Sequence, residues 1–213
     1  MMPRAYAIQC LPKSMARRTR QLAMQLKYRG RGGPREGAGR PRKPGGRVSH
    51  DRRPPLSRHH PVHVTLRVAD GAPNLRRIQA FRRISDGFLE GKDRFGFRVT
   101  HCSVQSNHIH LIAEAENKAS LARGMKGLAV RIAKGVNRAV GRTGSLFAER
   151  YHAHVLKTRR EVAHAIEYVL GNWFRHAGRD FGPWEYDKLS SAFEPSMVVP
   201  PRTWLLRVGW EAL

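Results

Sequence analysis

From Pro61 onward the apolar residues change period several times, in an order that few folds accept. The stretch "VHVTLRV" (62–68) alternates as a half-buried strand does, whereas Leu75, Ile78, Phe81, Ile84, Phe88 and Leu89 follow helical spacing over residues 74–90. A strand pair is read from Phe95 to about Glu116, broken near Ser106–Asn107. Residues 118–140 make a second helix through Leu121, Met125, Leu128, Ile132 and Val136, stopped by the "GRTG" at 141–144. "ERYHAHVLKT" (149–158) reads as another strand, and a third helix runs from about Arg160 to His176. The order β-α-β-β-α-β followed by a helix predicts an α+β, ferredoxin-like fold. Its sheet is four-stranded and antiparallel with two helices on one face, an outline shared with the RRM, and one more helix follows.

What precedes Pro61 is different in kind. From Arg29 the chain is rich in Gly, Pro and Arg, as in "RGRGGPREGAGRPRKPGGR", and has almost no large aliphatic residues. Such a segment buries too little apolar area to offset its ordering entropy. Residues 1–58 are therefore expected as a disordered basic tail, 59–180 as the folded domain, and 181–213, with Trp184, Trp204 and Trp210 but no clear period, as an extension folded back on it.

The formal net charge is +24, and sixteen of the 40 basic residues lie in the first 58 positions against two acidic ones, Glu36 and Asp51. Charge this dense calls for a polyanionic partner, first of all nucleic acid. A membrane surface is the main competitor, but the tail has no sustained apolar stripe, and no run of apolar residues is long enough to span a bilayer. Cys10 and Cys102 form neither a metal pattern nor a disulfide framework, which suits a reducing cytosol; the expected place is cytoplasmic, on the nucleoid. The opening "MMPRAYAIQCLPKSMARR" does not read as a signal peptide, and Met15 is a second candidate start. Within the tail, Gly39–Arg40–Pro41 resembles an AT-hook core, which would lay Arg40, Arg42 and Lys43 along a narrow minor groove. The alternative is a generic polybasic linker.

Chemistry enters at "QSNHIHLI" (105–112). On a strand, residues i and i+2 share a face, so His108 and His110 project together at roughly 6–7 Å, while Ile109, Leu111 and Ala113 face the other way. Two imidazoles so placed can share one ion, or can simply be satisfied polar residues. Eleven histidines in 213 residues make such a pair an ordinary chance event, and His152 with His154 is a second one. The third helix adds to the first pair. Val162, Ile166, Val169 and Trp173 form its apolar stripe, with Tyr168 and Asn172 together on one flank and His164 one turn earlier. Packed beside the sheet, that helix would aim a phenol and an amide oxygen at the histidines; the alternative leaves Tyr168 as a boundary aromatic with its hydroxyl in solvent.

"SNHIHLI" followed by "YVLGN" resembles the single-tyrosine HUH transposases, in particular the REP-associated tyrosine transposase-like proteins. His108, Ile109 and His110 match the His–hydrophobic–His element, and Tyr168 and Asn172 match the tyrosine with an Asn or Gln one turn later. "GSLFAERY" matches Gly-x-x-Phe-x-x-Arg-Tyr at Gly144, Phe147, Arg150 and Tyr151. The similarity covers about residues 59–178. Gln105–Ser106 replaces the Met-Pro that many members carry before Asn107–His108, and Trp173–Phe174–Arg175–His176 replaces Pro-Val-Arg-Ala after Asn172.

The resemblance implies cleavage and rejoining of single-stranded DNA with hairpins. A divalent ion, Mg²⁺ or Mn²⁺, would be held by His108, His110 and Asn172, and Tyr168 would be the nucleophile that becomes a 5′-phosphotyrosine. A phenol is mostly protonated at neutral pH, so a proton acceptor is needed; the ion and His164 are both candidates. The resemblance leaves monomer and homodimer open. Arg123, Lys126, Arg131, Lys134, Arg138 and Arg142 on the second helix would track the backbone of a DNA hairpin, or form an ordinary solvated face. Tyr151 is expected to pack. The main rival is a non-catalytic nucleic-acid-binding module of RRM type, but "KDRFGFRVTH" offers only Phe95–Gly96–Phe97 of the pattern such a strand should show.

Overall fold

A computed structural model describes residues 55–176 and 187–209, with side chains on the last helix described as far as Gly171. The tail with Arg40, Arg42 and Lys43, and Cys10, lie outside the described residues. The elements are β1 (Val62–Arg67), α1 (Ile78–Gly91), β2 (Asp93–Arg94), β3 (Phe97–Val104), β4 (His108–Ala115), α2 (Lys118–Ala139), β5 (His152–Val155) and α3 (Arg159–His176). The sheet order is β2-β3-β4-β1-β5 with every pairing antiparallel. Without the two-residue β2 this is the expected ferredoxin-like sheet.

The fifth strand comes from the turn after α1. Phe95 and Gly96 both take positive φ, 58° and 70°, the pair of values a two-residue hairpin needs to match strand twist. Phe95 is therefore an exposed turn residue rather than the first residue of the strand. The first helix likewise starts later than its periodicity suggests. Asn74 accepts from the backbone N–H of Arg76 through its side chain (2.9 Å) and of Arg77 through its carbonyl (3.2 Å), and this local turn competes with helix over residues 74–77.

Alternation splits the sheet into two faces. Val62, Val64 and Leu66 of β1, with Ile109, Leu111 and Ala113 of β4, pack under Ile84 and Phe88 of α1 and Met125, Leu128 and Ile132 of α2. A register shift between Val99 and His101 keeps both ends of β3 on that side, so Phe97, Val99, Cys102 and Val104 all reach the same core. Burial there pushes the Cys102 thiol up to about 12. Ile112 faces the other way, into a second cluster with Leu156, Val162, Ile166, Val169, Leu205 and Leu206, and this covers the sheet with α3.

Two caps set the helix phases. The Asn117 side chain accepts from Ala119 and Ser120 N–H at the start of α2 (2.9 and 3.0 Å). At α3, Thr158–Arg159–Arg160–Glu161 forms a capping box: Glu161 N–H donates to Thr158 Oγ1 (3.2 Å), and the Glu161 carboxylate accepts from Thr158 N–H (2.9 Å) and Lys157 N–H (2.6 Å). Those backbone donors hold the Glu161 carboxyl below the usual carboxylate range. The box fixes where α3 begins, and with it the direction in which Tyr168 points.

Helix α2 approaches the sheet closely at Gly124, where an added Cβ would lie 2.1 Å from Cγ of the buried Phe97 ring. Gly124→Ala is expected to destabilise the protein by about 1–3 kcal/mol through overpacking. The measurement is a lowered urea midpoint at constant slope; an unchanged midpoint would show that Phe97 gives way.

Residues 187–209 run back across the edge of β3 that β2 leaves unpaired. Val104 N–H donates to Leu189 O (3.0 Å), Ser191 N–H to Cys102 O (2.8 Å) and Val199 N–H to Val99 O (2.9 Å). The buried Glu114 carboxylate then accepts from Arg202 and Thr203 N–H (2.9 and 2.7 Å), which turns the chain so that Leu205 and Leu206 reach α3. Covering an open strand edge removes a template for unwanted pairing. No helix among the described residues is long and apolar enough to cross a membrane.

Candidate active site

Strand β4 places the site. Its residues facing α1 and α2 are apolar, so the intervening positions His108, His110 and Ile112 face α3. Strand β1 lies beside it in a register that sets Arg67 opposite His108, Thr65 opposite His110 and His63 opposite Ile112. Tyr168 comes down onto this lane from α3. Its ring lies 5.1 Å from that of His110 and 5.8 Å from that of His63, edge-on to both, and the His108 and His110 rings are 4.5 Å apart.

The hydrogen bonds say which nitrogens face where. His108 Nδ1 donates to the Asn107 side-chain oxygen (2.6 Å), so its lone pair is on Nε2. His110 Nδ1 lies 3.1 Å from Thr65 Oγ1 and 3.2 Å from His63 Nε2. In both imidazoles the Nδ1 side is taken up by the protein, the arrangement in which a histidine presents Nε2 to a cation. His110 is buried and His108 half-buried. Burial, reinforced by the neighbouring His154 and His152, lowers the His63 pKa to about 4, and burial alone does the same for His101 on β3, so both rings are neutral at pH 7.

These residues line a cleft of about 540 Å³ whose walls include Arg67, Gln105, Asn107, His108, His110 and Tyr168. Tyr168 separates it from a second cleft of about 520 Å³, walled by His63, His154, Glu161, His164 and Glu167. The structure thus brings together His108, His110 and Tyr168. Asn172 follows one turn later on α3, and its side chain is outside the described part. His164 is exposed and lines the second cleft rather than the first. His152 and His154, the rival pair, sit exposed on the edge strand, where His154 Nε2 is 3.9 Å from Glu161 Oε1.

The basic residues of α2 lie in the opposite layer. Arg131, Lys134 and Arg138 join Arg82 and Arg83 of α1 around a groove of about 600 Å³, and Arg123 and Lys126 flank an adjoining one with Phe95 and Val130. The sheet therefore stands between them and the histidines, so one stretch of DNA touching both must pass around an edge. Tyr151 packs against the core, as expected.

The sequence did not single out His63, Thr65, Arg67 or Gln105. Alternation in "VHVTLRV" puts the first three on one face, but nothing local says that β1 lies beside the His108–His110 strand. Gln105 is buried, its amide donating to Ser103 Oγ (2.7 Å) at the foot of the cleft.

Among the described residues no three His, Cys, Asp or Glu side chains are placed to hold a metal. An ion at the two imidazoles would take its remaining ligands from an amide, hydroxyl, phosphate or water oxygen. The strand side chains facing α3 include His63, Thr65, Arg67, His101, Ser103, His108, His110, Ile112 and Glu114, and none is Phe, Tyr or Trp. The Phe and Tyr residues that an RRM carries on its RNP1 strand have no counterpart among them.

The family model described as "Transposase IS200 like" matches residues 61–172. No curated protein matches the sequence. Among solved structures the chain is similar to a REP-associated tyrosine transposase bound to a REP hairpin, at 18% identity over 61% of this chain and 74% of that one, with a TM-score of 0.47.

Proposed function

This chain belongs to the IS200-like transposase family, and from that premise we propose that it cuts and rejoins single-stranded DNA through a covalent link to Tyr168. The observation that carries the reading is the meeting of Tyr168 with His110 and His108 at one cleft.

The Tyr168 hydroxyl oxygen attacks the scissile phosphorus as the bond to the 3′ oxygen breaks. One fragment leaves with a free 3′-hydroxyl, and the other stays on the enzyme as a 5′-phosphotyrosine. Because the phosphodiester is exchanged rather than hydrolysed, a second 3′-hydroxyl reverses the step and joins strands without a nucleotide cofactor. His108 and His110, through Nε2, with the Asn172 side chain are the residues suited to hold Mg²⁺ or Mn²⁺, whose Lewis acidity would polarise a nonbridging phosphate oxygen. Imidazole nitrogens and an amide oxygen carry no charge as ligands, so such a set would leave the net positive charge of the ion to face the phosphate. Arg67, exposed, opposite His108 and lining the cleft, adds a cation beside the place where the phosphate charge would lie.

The substrate class follows from charge and layout. Single-stranded DNA enters the cleft between β4 and α3, and a folded hairpin stem is the partner for Arg123, Lys126, Arg131, Lys134 and Arg138 on the helical layer. The tail, with Arg40, Arg42 and Lys43, adds salt-sensitive affinity for duplex DNA.

With Mn²⁺ and a pool of hairpin-containing single strands labelled at the 3′ end, the protein is expected to give a labelled adduct stable in SDS. EDTA should abolish the adduct and reduce DNA binding only weakly. If no strand of a broad pool gives an adduct, the catalytic reading fails.

A further inference from the structure

His63 is a fourth ring at the site, and neither the family match nor the proposed mechanism gives it a task. It sits half-buried on β1, one position on the same face from Thr65, which is paired with His110. Its Nε2 is 3.2 Å from Nδ1 of His110, and its ring meets that of Tyr168 edge-on at 5.8 Å, 72° between planes. The His63 and His110 rings are 5.2 Å apart, so the three rings touch pairwise.

Two imidazole nitrogens at hydrogen-bond distance share one proton, and for uncharged rings only two arrangements exist. In one, His110 Nδ1–H donates to His63 Nε2, and the lone pair of His110 is on its outward Nε2. In the other, His63 Nε2–H donates to His110 Nδ1, and His110 Nε2 carries hydrogen and cannot bind a cation. Which arrangement holds decides whether His110 can be a ligand at all. Thr65 Oγ1, 3.1 Å from the same Nδ1, can accept or donate, so it accommodates either arrangement and selects neither.

We propose that His63 is a positioning residue whose Nε2 accepts from His110 Nδ1, thereby fixing the tautomer that turns His110 Nε2 toward an ion, while its ring edge braces Tyr168. This rests on the proposed role of His110 as a metal ligand and adds to it the element that sets its proton. Partners of this kind behind metal-binding histidines typically change metal affinity by about 10–100-fold when removed.

The test uses the full chain labelled with ¹⁵N-histidine, without metal, at pH 7.5. Long-range proton–nitrogen correlation spectra are expected to show His110 as the Nδ1–H tautomer in the native protein. In His63→Ala, hydrogen should appear on His110 Nε2, and Mn²⁺ affinity by titration should fall about tenfold or more. His63→Gln places a carbonyl oxygen close to where Nε2 was and should restore both the tautomer and most of the affinity. A native His110 carrying hydrogen on Nε2, or a tautomer unmoved by His63→Ala, overturns the proposal. So does Mn²⁺ binding by the native protein that His63→Ala leaves unchanged. Failure of the metal reading has a different signature: the native protein takes up no Mn²⁺ while the His63-dependent tautomer is still observed, which upholds the contact. If His63→Ala does not fold, the native spectrum and His63→Gln carry the decision.

Discussion

A Tyr168→Phe protein is expected to bind single-stranded DNA as the native protein does and to form no covalent adduct with it at any time of incubation. The substitution removes one oxygen, the atom that would become bonded to phosphorus, and leaves the ring that contacts His63 and His110 edge-on. Packing and cleft shape are preserved, so the loss is chemical rather than structural. No other tyrosine among the described residues borders the cleft: Tyr151 packs on the opposite side of the sheet, and the remaining hydroxyls of the cleft are the aliphatic ones of Thr65 and Ser106. The measurement pairs a native-gel binding assay with denaturing gels of 3′-labelled and 5′-labelled strands. With the native protein the first label should travel with the protein and the second with a shortened free strand. Normal cleavage by Tyr168→Phe would sink the assignment of the nucleophile.

The second large effect is on stability, at a distance from the chemistry. Arg76 grips Asp187 with both terminal nitrogens, at 2.7 and 2.8 Å, and the Asp187 side chain is 0% exposed against 15% for Arg76. Asp187 also accepts from Leu189 N–H (3.1 Å) and stands near Ser103 Oγ and Gln105 Nε2 (3.4 and 3.5 Å). Arg76→Ala would leave a fully buried carboxylate without its cation, a change that costs about 3–5 kcal/mol. Asp187→Ala should cost less, because the freed guanidinium keeps its bond to Val104 O (2.8 Å) and some contact with water. The same cluster ties the turn before α1, the C-terminal segment and the foot of "QSNHIHLI" together, so Arg76→Ala should also slow adduct formation. Urea unfolding of both variants checks the order; equal small losses would mean that the pair is no more than a surface bridge.

The elements were legible to within a few residues because each carries its own period. The helix over 118–140 is observed at Lys118–Ala139, and the one starting near Arg160 begins at Arg159, where the capping box is written out as Thr158-x-x-Glu161. The misreadings came from competing local chemistry. The Asn74 carbonyl accepts from Arg77 N–H in a turn rather than from the i+4 N–H that would have extended α1, and Phe95–Gly96 makes a turn in place of strand. The site was half legible. His108 and His110 share a face because of i, i+2 spacing, and Tyr168 flanks the buried stripe of Val162, Ile166 and Val169 because of helical spacing.

By itself the sequence determined the order of elements, the side of each strand and helix that is buried, and the pairing of two histidines on one face, since all of these are periodicities within a segment. Only the tertiary structure decided the register of β1 on β4 that sets Thr65 opposite His110 and brings His63 to its ring, that α3 covers the histidine face, and that the basic row of α2 ends on the other layer. A period of two says which residues share a face of a strand, but not which strand comes to lie opposite. That choice is made by burial summed over the whole sheet, and it is where the surroundings of His110 were settled.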